Sequence, residues 1–456
     1  MFYKRFLLLL PLCCFVSVYG QNLMKPISSW KVAGVPHVSL DSADGEPFLR
    51  IANSQPEDNS YYTYSILQQS DHTRTFHLTY ETRGDVWKEA YSDVWVNIYE
   101  GKNILYTILL GCSPAEKWTS CSRMFAVPAD ATRIRVGMRL NGAGETLWRS
   151  FSLVEERHAV ENSAQQLRVV EMVVDTLCRY SLHRDNIARD SILPVARELG
   201  RINIQDAVSY LLGKLQDKHG SVNWDTEVSF VTKHTQVLPS SKQLADGSIR
   251  YIGIPTLRVS NDEFYETYAN SLYDIASSLE EERLVLDLRG NGGGVLWPML
   301  SGISPLLPDG TQAYFSYVSG EKRPIQLLDG KAFSNDASFH KVKREKYLKK
   351  YRLQKVLVLV DGKTASSAEM LAAVLASYPT FKLLGEPTAG FLTGVSTYEL
   401  DGGPKLRIST SRFLDRMGNE VGEKLQPTPF PKNKAVDIDQ WDQADWDAIF
   451  DQYWSD

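Results

Sequence analysis

Cysteine is scarce, with five in 456 residues. Cys13 and Cys14 sit side by side near the start, and Cys112, Cys121 and Cys178 show no spacing that would hold zinc. No metal or cofactor is therefore expected. Positive charge is also in short supply. The 50 Lys and Arg against 55 Asp and Glu leave a net charge of −5, which excludes the electrostatic footprint of a nucleic-acid binder. After the N-terminal segment no apolar run reaches membrane-spanning length. Repeats and low-complexity linkers are missing too. The remaining cysteines leave one choice open: Cys112 and Cys121 either close a short loop across "CSPAEKWTSC" in an oxidising compartment or stay as buried thiols.

What is present begins with a targeting pattern. Lys4 and Arg5 precede "FLLLLPLCCFVSV", and the segment is short and early, which predicts a secretory signal over residues 1–20 cleaved near Gly20. The mature chain is then periplasmic or extracellular, touching a membrane only through its export signal. A lipoprotein signal at Cys13 or Cys14 fits less well, because Leu and Pro precede those cysteines.

The length predicts more than one domain. Over residues 22–155, stretches such as "TRTFHLTYETR", "DVWVNIYE" and "ATRIRVGMRL" alternate apolar and polar with period two, predicting a β-sandwich or jelly roll. Its last strands, "RIRVGMRLNGAGETLWRSFSLVE", resemble the closing strands of galactose-binding-like carbohydrate modules. Trp95, Trp118 and Trp148 are thus either packing residues or a stacking surface for a glycan. Residues 156–222 switch to three- and four-residue spacing and predict a small helical bundle; Asn203 or Asp206 can cap its last helix and Gly220 can stop it. From 223 to 436 strands and helices alternate, which predicts parallel pairing with helices on the faces. Residues 437–456 form an acidic, aromatic tail that reads as a terminal helix.

Three stretches carry chemistry. In "VDGKTASSAE" an apolar strand turns into a helix through hydroxyl residues. Such a turn exposes a serine oxygen beside unpaired helix N–H groups, yet Ser366 and Glu369 also have capping-box spacing. In "LVLDLRGNGGG" a buried strand ends in three glycines, which allow positive φ and close backbone approach; neither a P-loop nor a dinucleotide fingerprint matches. In "LLGKLQDKHGSV" a helix ends at His219, a residue able to act as a base near neutral pH. His234 lacks such a setting.

The order D-x-H, then "DLRGNGGG", then "TASSAEM", then "LLGEPTAG" resembles the tail-specific, C-terminal processing peptidase family and its tricorn-core and interphotoreceptor retinoid-binding relatives, over roughly residues 160–435. The resemblance implies a ClpP/crotonase-like α/β core and a serine peptidase acting on protein or peptide. It implies Ser366 as nucleophile, with Gly293 or Gly294 and the N–H of Ser367 as oxyanion donors. Members with a Ser-Lys dyad carry Lys after the "GEPT" segment; this chain has Phe391 there, which cannot take a proton. The tricorn-like branch uses the His of D-x-H, here His219, oriented by a late Glu; Glu420 and Glu423 lie near that place, and neither aligns without a shift. Only about thirty residues separate His219 from "IRYIGIP", too few for the PDZ module common in the family. The alternative is a non-catalytic ligand- or peptide-binding protein on the same scaffold, with the jelly roll binding glycan.

Overall fold

The computed structural model describes residues 21–454 except 33, 68–69, 87–89, 113, 157–163, 225–236, 258–260, 335–336, 344–345, 350–354 and 432–436. The expected signal segment at 1–20, with Cys13 and Cys14, and His234 lie outside the described residues. The chain divides into two compact units, Met1–Asp175 with Ile187–Leu215 and Thr176–Asn186 with Gln216–Asp456.

The first unit is built on nine strands among the described residues: β1 (Val38–Ala43), β2 (Glu46–Asn53), β3 (Asn59–Leu67), β4 (Arg74–Val86), β5 (Tyr91–Glu100), β6 (Asn103–Leu110), β7 (Thr119–Val127), β8 (Arg133–Asn141) and β9 (Gly144–Glu156). They form two antiparallel sheets, ordered β1-β2-β9-β4-β7 and β3-β8-β5-β6. The period-two pattern has a direct outcome. Val94, Val96 and Ile98 of β5 and Ile134, Val136, Met138 and Leu140 of β8 are all buried, while the residues between them, except the buried Gly137, are partly exposed. The stretch read as a closing pair parts company at Gly142 and Gly144, whose φ values of +89° and +141° let β8 and β9 enter different sheets.

The three tryptophans are engaged by protein. Trp148 is in the core, the Trp95 ring fills the space over Gly137, and the Trp118 ring carries the guanidiniums of Arg149 and Arg83 at 4.2 and 5.4 Å. Cys112 and Cys121 are joined as a disulfide. Helices α1 (Ala164–Tyr180), α2 (Arg189–Ile202) and α3 (Ile204–Leu215) follow. Asn203 caps α3, accepting from the N–H groups of Gln205 and Asp206.

The second unit contains β10 (Ser221–Asn223), β11 (Ser240–Leu244), β12 (Ile249–Gly253), α4 (Asp262–Ser277), β13 (Arg283–Asp287), α5 (Leu296–Gly302), β14 (Gly310–Tyr317), β15 (Lys322–Leu328), β16 (Lys331–Ser334), β17 (Ala337–Lys341), β18 (Lys355–Val360), α6 (Ser367–Ala376), β19 (Phe381–Gly385), β20 (Thr393–Glu399), β21 (Lys405–Leu414) and α7 (Gln443–Trp454). Strands β12, β13, β18 and β19 are parallel, with β11 antiparallel at the edge. After the exposed Lys355, "VLVLV" is apolar throughout because both faces of the strand are covered. Val356 and Val358 pack with Leu272, Met299 and Leu371 of α4, α5 and α6. Leu357 and Leu359 pack with Trp441 and with Trp446 and Phe450 of α7, so the acidic tail closes the second face. The remaining strands form a second sheet ordered β10-β21-β14-β15-β16-β17, with β20 on β21.

Candidate active site

The glycine loop and the serine turn leave the carboxyl ends of adjacent parallel strands, β13 and β18, where open α/β sheets hold their ligands. Asn291 joins them. It is buried, and its backbone carbonyl accepts the Ala365 N–H at 2.9 Å. Its side chain donates to the Ile254 carbonyl at 2.8 Å and accepts the Gly293 N–H at 2.9 Å. Asp361 secures the same turn, taking the N–H groups of Gly290, Lys363 and Thr364.

Ser366 follows with φ +57° and ψ −122°, a backbone conformation costly for a residue with a side chain and sustained only where its surroundings enforce it. Glu369 supplies part of that enforcement. It is fully buried, and its Oε2 accepts the N–H groups of Ser366 and Phe391, both at 2.8 Å. Its Oε1 accepts from Gly390 N–H at 2.9 Å and from the Thr388 hydroxyl. The return half of the capping box, from the Glu369 N–H to the Ser366 side-chain oxygen, has the geometry of the motif without closing a hydrogen bond. Glu369 thus stitches "GEPTAG" to the serine turn as well as starting α6.

Gly293 lies against the serine. A Cβ there would stand 2.6 Å from the Ala365 carbonyl, 2.9 Å from the Ser366 Cβ and 3.0 Å from the Ser367 N. Its own N–H is committed to Asn291, so of the two glycines offered as oxyanion donors Gly294 has the available amide. Among the described residues neither the Gly294 N–H nor the Ser367 N–H makes a hydrogen bond. The Ser367 hydroxyl donates to the Gly294 carbonyl at 3.0 Å, fixing the two strands of backbone together.

His219 is set differently from the sequence expectation. Helix α3 stops at Leu215, not at Gly220, because Gln216 turns left-handed at φ +60°. Asp217 then points inward, where its oxygens accept the Ser409 N–H and hydroxyl, both at 2.7 Å, and the His219 N–H at 3.0 Å. The half-buried His219 ring rests 5.0 Å from the Phe391 ring, and its Nδ1 lies 2.7 Å from the Thr393 hydroxyl. Thr393 Oγ1 lies 2.9 Å from Ser409 Oγ. A register shift between β20 and β21 at Gly394 and Val395 accompanies this meeting of hydroxyls, as bulges next to sites commonly do. Burial holds the His219 pKa below its ordinary value; the Arg407 charge adds to the lowering, against Asp217 and Glu369.

Neither late glutamate meets the Nδ1 of His219. Glu420 is exposed and pairs with Arg412 at 2.9 Å. Glu423 lines a small cleft with His219, Phe391 and Thr393, and it is Thr393 that reaches the ring. Lys424 lays its stem along Gly390, where a Cβ would meet its Cε at 2.8 Å. Asn291, Thr393 and Ser409 were not expected at the site from the sequence. Only Asn291 left a trace, as a side chain retained inside "RGNGGG". No cluster of His, Cys, Asp and Glu among the described residues could hold a metal ion.

Residues 248–429 match Peptidase family S41. The chain is 33% identical over 204 residues to the nisin-resistance protein of Lactococcus lactis subsp. lactis, covering 44% of this chain and 61% of that protein. It is 27% identical over 248 residues to the carboxy-terminal processing protease CtpA of Bacillus subtilis (strain 168), covering 52% and 47%. Among solved structures, a lipoprotein from Streptococcus agalactiae superposes with a TM-score of 0.49 at 21% identity, over 61% of this chain and 95% of that one. The chain thus spans about half to three fifths of these curated relatives. Residues 248–429, with the glycine loop, Ser366 and Glu369, belong to peptidase family S41.

Proposed function

We propose that the chain is an exported serine endopeptidase in which Ser366 is the nucleophile and His219 its base. The observation that carries this reading is Ser366 itself. It is held at φ +57° on a strand-to-helix turn, with Gly293 packed against it and two uncommitted amides, of Gly294 and Ser367, beside it. Strained backbone of this kind is stored where chemistry uses it.

In this reading Ser366 Oγ attacks the scissile carbonyl carbon as its proton passes to His219 Nε2. The electron pair of the carbonyl moves onto oxygen, which takes hydrogen bonds from the two amides. The C–N bond then breaks and the leaving amine takes the proton from Nε2, leaving an ester on Ser366. A water, giving its proton to Nε2, attacks that ester; the product acid leaves and Oγ recovers the proton. The lowered pKa of His219 supports the role, since the ring is then neutral and able to accept a proton at neutral pH. The name of the processing-protease relative supports a protein or peptide substrate. The pattern at residues 1–20 and the Cys112–Cys121 bridge support export.

The test combines a fluorophosphonate probe with a peptide-cleavage assay. Wild-type protein is labelled at Ser366. Ser366→Ala loses both labelling and cleavage, and His219→Ala loses on the order of 10²–10⁴ in rate. Lys424→Ala stays near the wild-type rate, because the lysine beside Gly390 is not the base. Cleavage by Ser366→Ala at the wild-type rate would sink the assignment. A folded wild-type protein that takes no probe would favour a binding protein on this scaffold.

A further inference from the structure

We propose that Asp217, Ser409 and Thr393 form a hydroxyl relay that holds His219 as its Nδ1–H tautomer, leaving the Nε2 lone pair for the serine proton. The chemistry of that last step rests on the peptidase reading above; the relay itself rests on hydrogen-bond counting.

Asp217 is an acceptor: its oxygens take the Ser409 N–H, the Ser409 hydroxyl and the His219 N–H at 2.7, 2.7 and 3.0 Å. A serine hydroxyl has one proton, and Ser409 gives it to Asp217. At 2.9 Å from Thr393, Ser409 Oγ must therefore accept. Thr393 in turn spends its single proton on Ser409. At 2.7 Å from His219 Nδ1, the threonine oxygen can only accept, so Nδ1 carries the hydrogen.

The opposite tautomer fails on the same arithmetic. A bare Nδ1 would require Thr393 to donate to it, and keeping the Thr393–Ser409 bond would then require Ser409 to donate to Thr393. Two acceptors, Ser409 Oγ and Asp217 Oδ1, would then face each other at 2.7 Å with no proton between them, and both residues are buried, where an unmade hydrogen bond is most costly. The relay thus does what an orienting carboxylate does in a triad, but at one remove. When Nε2 is protonated during catalysis the Nδ1–H stays in place. No proton travels along the relay, and Asp217 stabilises the imidazolium through two aligned O–H dipoles.

The experiment is nitrogen NMR of the full chain labelled in its histidines, with His219 assigned by loss of its signals in His219→Gln. At a pH where the ring is neutral, the wild type shows a protonated Nδ1 and a bare Nε2. Thr393→Val removes the acceptor and shifts population toward the Nε2–H tautomer. Its kcat falls roughly ten- to a hundredfold with KM little changed. Thr393→Ser keeps the hydroxyl and restores both readouts. A wild-type ring in the Nε2–H form, or a Thr393→Val ring with the wild-type tautomer, overturns the relay. If the wild type shows the expected tautomer yet cleaves no peptide, the relay stands and it is the peptidase reading that fails.

Discussion

A single histidine sets the working pH of the proposed mechanism. Burial is the largest cause of its lowered pKa, and the Arg407 charge pushes the same way. A base works in its neutral form, so activity is lost as pH falls through its pKa. The acid limb of kcat/KM accordingly lies below the ordinary histidine value of about 6.5. Arg407→Gln removes one of the two lowering causes, so the limb moves to higher pH while the burial part remains. A pH–rate profile of the two proteins checks this, and a limb unmoved by the substitution counts against it. The segments carrying the proposed Ser366 and His219 stood out in the sequence because each is a motif whose order along the chain is distinctive. Thr393 and Ser409 did not. Hydroxyl residues in "TGVST" and "RISTSR" look like ordinary members of a pleated surface, and only the pairing of β20 with β21 brings the two oxygens together. Glu420 and Glu423 illustrate the converse: acidic residues at the right distance along the chain are displaced from the histidine ring by a threonine that no spacing rule marks.

At the scale of elements, the strands with both faces covered were the easiest to read, because "VLVLV" admits little but a buried parallel strand. The run β14 to β17 went unread. Its strands are short, carry charges such as Lys322, Arg323 and Lys331, and gain their identity from pairing with one another and with β21. Helix α3 shows how an element can hold a titrating contact. Asp206, in its first turn, accepts the Ala126 N–H of β7 at 3.0 Å. Burial pushes its pKa up to about 7, against that hydrogen bond and Arg123. The folded unit therefore keeps this proton up to about pH 7, whereas the unfolded chain gives it up near pH 4. The contribution to stability is complete below about pH 4 and is lost as pH rises to about 7, by roughly 1.4 kcal/mol per unit in between. Denaturation of the wild type and of Asp206→Asn at pH 5 and pH 8, followed by hydrogen exchange of the α3 amides, checks the sign. The wild type is favoured at pH 5 and the variant has the flatter dependence; equal slopes would rule out Asp206 as the titrating group.

At the scale of the whole molecule, the shortage of cysteine and the N-terminal signal pattern bear on one another. A chain with so few thiols that still joins Cys112 to Cys121 is suited to an oxidising compartment, the compartment to which residues 1–20 are proposed to send it. The bridge connects the segment after β6 to β7 and closes a loop of about ten residues, worth roughly 2–3 kcal/mol through restriction of the unfolded chain. Protein recovered from the exported fraction should begin close after Gly20 and yield a Cys112–Cys121 cross-linked peptide. The same chain made in a reducing cytosol without residues 1–20 should carry both thiols free. Its first unit should be less stable by that amount and so unfold at lower denaturant, while fluorophosphonate labelling of Ser366, in the second unit, stays intact. Peptide mapping under non-reducing conditions decides the first point. Labelling across a denaturant series decides the second: loss of Ser366 labelling in step with the missing bridge would mean that the two units do not unfold separately.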